Sequence, residues 1–158
     1  MNPTVFRTAA WLAVIVLGLE PVAAKPDAES TNRTLVAEAF ERWARQAGTP
    51  FELLADDATW TILGPTPTAG TYTLPRLRAD LLAPFQARLE TPLTPHVRAI
   101  HEDGDTVIVL FEATARLRSG HRYVNSYAWF FRFEDGRVKN VTAVLDLTAF
   151  DQALASGN

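Results

Sequence analysis

The sequence predicts an α+β protein in which a curved antiparallel sheet is wrapped by N-terminal helices into a cone with a central pocket. Three observations predict this class. Apolar residues recur at helical spacing in the first half, they alternate after Leu93, and explicit turns separate the alternating segments. Helices that precede a meander cover one face of it, and long strands twist, so the covered face becomes concave. A ligand would sit in the open end of such a cone.

The N-terminal segment, residues 1–24, differs in kind from the rest. An apolar run over Ala9–Leu19 follows Arg7, Glu20-Pro21 ends it, and small residues follow up to Ala24. This is the order of a secretory signal peptide, and the run is shorter than the roughly 20 residues that span a bilayer. An uncleaved anchor and a buried first helix are the alternatives. We expect an exported protein, periplasmic or secreted, without a stable membrane span after cleavage, with a flexible leader over 25–32 and one domain over 33–155.

Composition bounds the possible functions. The 158 residues are enough for one domain, and 47% hydrophobic with 21% charged residues is typical of a globular chain. A net charge of -3 without a basic stripe argues against a nucleic-acid partner. Cysteine is absent, which excludes disulfides and thiolate chemistry. The three histidines lack ligand-like spacing and there is no Gly-rich phosphate loop, so we expect neither a metal nor another cofactor.

Each element follows from periodicity and from its boundary residues. The predicted helices cover 34–46, 51–55, 74–89 and 147–155, with a break at Pro84 in the third. The predicted strands cover 59–63, 96–101, 106–117, 122–134 and 137–145. Tight Gly-containing turns at 103–105, 119–120 and 135–136 make the last four strands an antiparallel meander.

One row of the strand over 122–134 is large, aromatic and polar-tipped. Rings give a pocket wall its surface, while hydroxyl, indole and amide groups orient a ligand. The alternative is a core face whose tyrosines reach solvent at the rim. With one residue from the first strand and one from the loop after it, the expected ligand-binding residues are Trp60, Tyr72, Tyr123, Asn125, Tyr127 and Trp129.

Two carboxylates are candidates for chemistry. Glu112 lies mid-strand among apolar neighbours, where desolvation would raise its pKa and suit a general acid or base. The alternative is a salt bridge to an arginine on a neighbouring strand, or a place at the sheet edge. Asp146 ends the last strand, and the pattern favours an N-cap of the final helix over a pocket carboxylate. Both rows of the strand over 106–117 begin apolar, which predicts a homodimer through the sheet face that helices leave uncovered.

Several short motifs stand in a characteristic order. They are Leu54–Trp60, Gly64-Pro65 with Gly70, Asp103–Val109, Tyr123–Trp129, and Phe133–Val138 followed by Leu145-Asp146. Together they resemble the SnoaL-like domain of the nuclear transport factor two-like superfamily, which includes ketosteroid isomerase, polyketide cyclases and limonene epoxide hydrolase. The resemblance implies a cone-shaped fold and, usually, a dimer. It leaves function open, because this fold hosts enzymes, binders and assembly modules.

The resemblance also implies where relatives keep their reactive groups. The general base of ketosteroid isomerase falls at Ile62 and its oxyanion-hole aspartate near Trp129. The arginine and aspartate of limonene epoxide hydrolase fall near Leu110 and Glu112. Only Glu112 keeps a carboxylate, so neither apparatus is complete.

Three functions therefore stay open. The first is a pocket protein that binds an apolar or aromatic small organic molecule. The second is an acid–base enzyme (isomerase, cyclase, lyase or hydrolase) that uses Glu112 with Asn125 and Tyr127. The third is a homodimeric interaction module with a vestigial pocket.

Overall fold

The computed structural model describes residues 31–156 as a six-stranded, curved and unclosed sheet with helices, which confirms the predicted α+β class. The strands are β1 Leu54–Ile62, β2 Gly70–Thr73, β3 Thr94–Asp103, β4 Thr106–Arg116, β5 Arg122–Glu134 and β6 Arg137–Leu145. The helical segments are α1 Thr31–Ala44, a 3-10 turn Pro50–Leu53, α2 Leu74–Leu77, a π-turn Arg78–Leu82, α3 Ala83–Arg88 and α4 Leu147–Ala155.

The sheet order is β2-β1-β6-β5-β4-β3, and every neighbouring pair is antiparallel except β1 with β6. The predicted meander is thus present as β3 to β6. Register shifts interrupt three of the ladders, between Leu54 and Thr59, between Val97 and Ala99, and between Arg132 and Phe133. Such bulges bend and twist a sheet, which accounts for its curvature.

The first strand begins five residues earlier than predicted. Asp57 precedes the predicted strand, yet it lies in β1, at the shift in register against β6. Its carboxylate accepts hydrogen bonds from Lys139 Nζ at 2.7 and 2.9 Å. This pairing lowers the pKa of Asp57 and raises that of Lys139. The acidic residues before Thr59 therefore belong to the strand, where Asp57 pairs with a lysine of the neighbouring strand.

The helix over 74–88 is continuous but changes its winding where Pro84 approaches. Pro84 has no N–H to bond with the carbonyl of Asp80, and its ring crowds that carbonyl. The chain accommodates this by a π-turn, in which the N–H of Ala83 bonds to the carbonyl of Arg78. The predicted break is therefore a local widening of the helix rather than a split.

Helix α1 begins and ends earlier than its predicted limits. It ends at Ala44, and Gln46 takes the left-handed conformation with φ 57° before Gly48 is reached. Residues 31 and 32, expected in the leader, are helical. The predicted signal peptide, 1–24, and the remainder of the leader lie outside the described residues. Within residues 31–156, no helix has the length and apolar character to cross a membrane.

The core lies between the helices and one face of the sheet. Alternate residues of β4 and β5 are buried, beginning with Val107 and Tyr123. The concave face therefore carries the odd-numbered side chains of β5.

Gly64, with φ +152°, allows α4 to approach, because a Cβ at this position would clash with Cδ1 of Leu147.

Candidate functional site

The concave side of the sheet holds a partly open cavity of about 890 Å³. Its floor comes from β1, β5 and β6, and its walls come from α1, the 3-10 turn, the helix over 74–88 and α4. The floor residues are Trp60, Ile62, Tyr127, Trp129, Ala143 and Leu145. The volume lies within the range of about 300–1,000 Å³ that is typical of small-molecule sites.

Trp129 is the centre of an aromatic cluster. Its ring lies 4.8 Å from that of Trp60 at 86° and 5.8 Å from that of Trp43 at 10°. Phe51 stacks on Trp60, with centroids 5.0 Å apart, and its ring lies 6.2 Å from that of Trp129. Edge-to-face and stacked pairs of this kind fix ring orientation beyond what burial alone achieves. The cavity floor is therefore a preformed and rigid aromatic surface.

Tyr127 lies beside this aromatic cluster and also lines the cavity. Its ring stacks on Phe111 at 4.7 Å and 9°, and its hydroxyl lies 2.7 Å from the hydroxyl of Tyr123. Tyr123 belongs to the same row of β5 and contacts Phe85, but it is buried and does not line the cavity. Tyr127 therefore lines the cavity, and Tyr123 contacts its hydroxyl from a buried position beside it.

Asn125 fixes the position of Tyr123. Its Nδ2 donates to the Tyr123 hydroxyl at 2.9 Å and to the carbonyl of Asp146 at 2.8 Å, while its Oδ1 accepts from the N–H of Asp146 at 2.9 Å. Three of its bonding positions are thus taken within the fold. Asn125 was expected to orient a ligand, but it is 2% exposed and is not among the residues that line the cavity.

The direction of the hydrogen bond between the tyrosines follows from this arrangement. Within residues 31–156, Tyr127 is the one acceptor in reach of the Tyr123 hydrogen, since the Asn125 amide already donates to Tyr123. A buried hydroxyl hydrogen needs an acceptor, so Tyr123 donates to Tyr127. The hydrogen of Tyr127 then has no acceptor among residues 31–156.

Both tyrosines remain protonated near neutral pH. Burial raises the pKa of Tyr127 well above its usual range, and the neighbouring Tyr123 raises it further. Burial also raises the pKa of Tyr123, although its hydrogen bonds with Tyr127 and Asn125 act in the opposite direction. Tyr127 is therefore equipped to donate a hydrogen bond rather than to act as a base.

Asp146 caps the final helix, as favoured by the sequence. Its carboxylate accepts a hydrogen bond from the N–H of Ala149 at 3.1 Å. It does not line the cavity. Its main chain, rather than its carboxylate, is linked to the site, through the bonds to Asn125.

Two candidate site residues, Tyr72 and Glu112, are not among the residues that line the cavity, and Glu112 instead has the alternative placement beside an arginine of a neighbouring strand. Tyr72 lies on the edge strand β2, and its hydroxyl donates to the carbonyl of Thr68 at 2.8 Å. Glu112 lies opposite Ser126 in the even row of the sheet, so it points to the outer face, and its Oε1 is 3.9 Å from Nη2 of Arg98. The required convergence of Glu112 and Asn125 in one cavity is absent. Strand alternation itself decides this, because Glu112 and Asn125 belong to opposite rows.

An apolar stripe of the helix over 74–88, together with the residue that follows it, forms part of the cavity wall, although none of its residues was a predicted site residue. Its members are Leu77, Leu81, Leu82, Phe85 and Leu89. A stripe that faces a cavity has the same spacing as one that packs on a sheet. No set of three or more His, Asp or Glu side chains able to hold a metal occurs in the described part of the chain.

Comparison with known proteins gives the family. A family model described as a SnoaL-like domain matches residues 31–141. The chain belongs to the SnoaL-like domain family. No curated protein matches.

Solved structures share the SnoaL-like fold. An NTF2-like protein from Burkholderia thailandensis is 22% identical, covers 80% of this chain and 99% of its own, and has a TM-score of 0.64. An NTF2-like protein from Burkholderia pseudomallei is 19% identical over 80% of this chain and 99% of its own, with a TM-score of 0.65. TerC, co-crystallised with polyporic acid, is 17% identical over 80% and 100%, with a TM-score of 0.61.

By the resemblance, two positions of this chain correspond to the reactive acids of ketosteroid isomerase. They are Ile62 and Trp129, and both line the cavity. The side chains at both positions are apolar, and the cavity floor here has rings and a hydroxyl in place of carboxylates.

Proposed function

We propose that this protein binds an apolar, largely aromatic small organic molecule in the cavity, and that Tyr127 donates a hydrogen bond to an acceptor atom of that molecule. The observation that carries the proposal is the floor formed by Trp60, Trp129 and Tyr127, in which one hydroxyl hydrogen is free. Rings provide contact area for stacking, and the hydroxyl provides orientation.

The energetics favour an aromatic ligand with one acceptor. Transfer of apolar surface from water contributes about 25 cal/mol per Å². A single hydrogen bond from Tyr127 adds about 1 kcal/mol, which corresponds to about fivefold in affinity. Affinity would come mainly from stacking, and selectivity from the acceptor atom.

The similarity to TerC is consistent with this proposal. That protein has the same fold and was co-crystallised with a small organic molecule, polyporic acid. The co-crystallised compound supports a small organic molecule as the class of ligand proposed here.

The test is a thermal-shift series with matched compounds, such as 2-acetylnaphthalene and 2-ethylnaphthalene, which differ in a carbonyl acceptor. We expect both to raise the melting temperature, the ketone more so. Tyr127→Phe should remove the difference between them and keep the shift from the hydrocarbon. If neither these nor other aromatic compounds raise the melting temperature, the proposal is wrong.

The other two functions receive less support. The acid–base mechanism needs Glu112 in the cavity, and Glu112 lies on the outer face near Arg98. A vestigial pocket would be filled by its own side chains, whereas this cavity holds about 890 Å³. The geometry therefore favours a binding role over both.

We also propose a homodimer through the outer face of the sheet. This face carries exposed apolar side chains on the two strands that flank β5, Leu110 on β4 and Val144 on β6, both in register with Ala128 on β5. Val124 extends the patch along β5. Exposed apolar patches of this kind mark interfaces.

Export remains the proposal for location, on the pattern of residues 1–24. N-terminal sequencing of the protein recovered from the extracytoplasmic fraction tests it. A first residue of Lys25 is expected, and recovery of the intact N-terminus from the cytoplasm would contradict it.

A further inference from the structure

The wall of the cavity carries one unpaired charge. Two charged residues line the cavity, Arg78 and Glu90. Glu90 is paired, since its Oε2 lies 3.0 Å from Nε of Arg116. Arg78 has no hydrogen bond or ion pair with any of residues 31–156. The described wall therefore contains an uncompensated positive charge beside an aromatic floor.

Another arginine of the same helix, Arg76, is paired with an acid. Arg76 donates from Nε and Nη2 to Oδ2 of Asp80 at 3.1 and 3.0 Å. Asp80 is the nearest acid in sequence to Arg78, and it is already neutralised by Arg76. No acid of this segment is left to balance Arg78.

The π-turn sets the place of Arg78. It begins at Arg78, and both Leu81 and Leu82 of the same turn line the cavity. Arg78 is exposed while Leu81 is buried, so the turn runs from the solvent edge of the cavity to its interior. π-turns occur often at functional sites. A ligand on the aromatic floor would have one end within the cavity and one beside Arg78.

Resting on the proposed function, we infer that the ligand is an amphipathic organic anion, whose rings lie on the floor and whose carboxylate, or another oxyanion, pairs with Arg78. A guanidinium presents a planar fork of donors that matches an oxyanion with two bonds. The aliphatic stem of arginine can pack on apolar surface while its charged end stays in water. The ligand would thus have two polar anchors, Tyr127 within the cavity and Arg78 at its edge.

The test uses two fluorescent probes with the same rings, 1-anilinonaphthalene-8-sulfonate and uncharged 1-anilinonaphthalene. We expect the wild-type protein to bind the sulfonate about fivefold more tightly, as for a partly solvated ion pair. Arg78→Gln should abolish this preference and leave the affinity for the neutral probe unchanged. Added salt should weaken the sulfonate alone.

The matched control is Arg132→Gln, which removes the same charge from an exposed position in the even row of β5, on the outer face. It should keep the preference for the sulfonate. Equal binding of both probes to the wild-type protein, or an equal loss of preference in both variants, would overturn the inference and leave the proposed function standing. Binding of neither probe would overturn both.

Discussion

The hydroxyl oxygens of Tyr123 and Tyr127 lie 2.7 Å apart, and only the second of these side chains lines the cavity. Asn125 donates to Tyr123, which in turn donates to Tyr127. Linked donors polarise one another, so the last hydroxyl is a better donor than an isolated one. Three residues of this row are thus linked, and one of them, Tyr127, lines the cavity.

The buried tyrosine pair predicts a loss of stability at alkaline pH. The pKa of both residues is raised in the folded protein, so their contribution is fully present below pH about 10 and is lost as pH rises through the folded pKa. In that window each tyrosine lowers the free energy of unfolding by about 1.4 kcal/mol per pH unit. Tyr127→Phe should lose stability less steeply. Urea denaturation at a series of pH values measures the two slopes.

A second pair that titrates at alkaline pH, Lys139 with Asp57, does not affect this comparison. The pKa of Lys139 is also raised, by Asp57, so this exposed pair loses its contribution in the same alkaline range. It is present in both proteins and cancels in the difference. Parallel curves for the wild-type protein and the Tyr127→Phe variant would show that Tyr127 ionises as easily folded as unfolded.

The Asn125 side chain predicts a large stability effect. Asn125→Ala leaves the N–H and carbonyl of Asp146 without their partner, at a position that is 2% exposed. Loss of buried hydrogen bonds of this kind costs about 2–3 kcal/mol. Asn140→Ala removes one exposed bond, from Nδ2 to the Thr59 hydroxyl at 2.9 Å, and should cost less than about 0.5 kcal/mol. Thermal or urea unfolding compares the two variants, and equal losses would contradict the structural role of Asn125.

Gly64 predicts a second contrast. Gly64→Ala combines a φ of +152° with a clash against the buried Leu147, and should lower the free energy of unfolding by about 2 kcal/mol or more. Gly104→Ala meets open space in the β3–β4 turn and has only the strain of φ +56°, which costs about 1 kcal/mol. Urea denaturation of both measures the difference. A cost at Gly64 no greater than at Gly104 would mean that α4 does not approach β1 closely.

The sequence predicted the last two strands well because alternation reports which side a residue faces, whereas β2 was not predicted. The limits of β5, β6 and α4 and the burial of the odd row in β5 are as expected. Alternation does not report what occupies that side. Asn125 and Tyr127 share a row, yet one is saturated by main-chain atoms and the other lines the cavity, since the approach of Asp146 depends on tertiary structure. A cavity is likewise a gap between packed elements, and no local pattern encodes it.

Glu112 shows that the sequence neighbours of a strand residue do not report its neighbours in space. Its apolar sequence neighbours indicated burial, but its neighbours in space are Ser126 and the solvated Arg98. Glu112→Gln should therefore leave probe binding in the cavity unchanged and alter the free energy of unfolding by less than about 1 kcal/mol, as for other exposed ion pairs. Fluorescence titration and urea denaturation measure both effects. A loss of binding in Glu112→Gln, with the fold retained, would return Glu112 to the site.

The outer face provides the final prediction. Leu110 and Val144 are 39% and 41% exposed, and both are in register with Ala128, so their side chains form one apolar row across three strands. If this row is the core of a homodimer, Leu110→Lys places two like charges in a two-fold interface and should yield monomers in sedimentation experiments. Ala79→Lys, at an exposed position in the π-turn, adds the same charge and should leave the dimer intact. A wild-type protein that sediments as a monomer would contradict the proposed dimer.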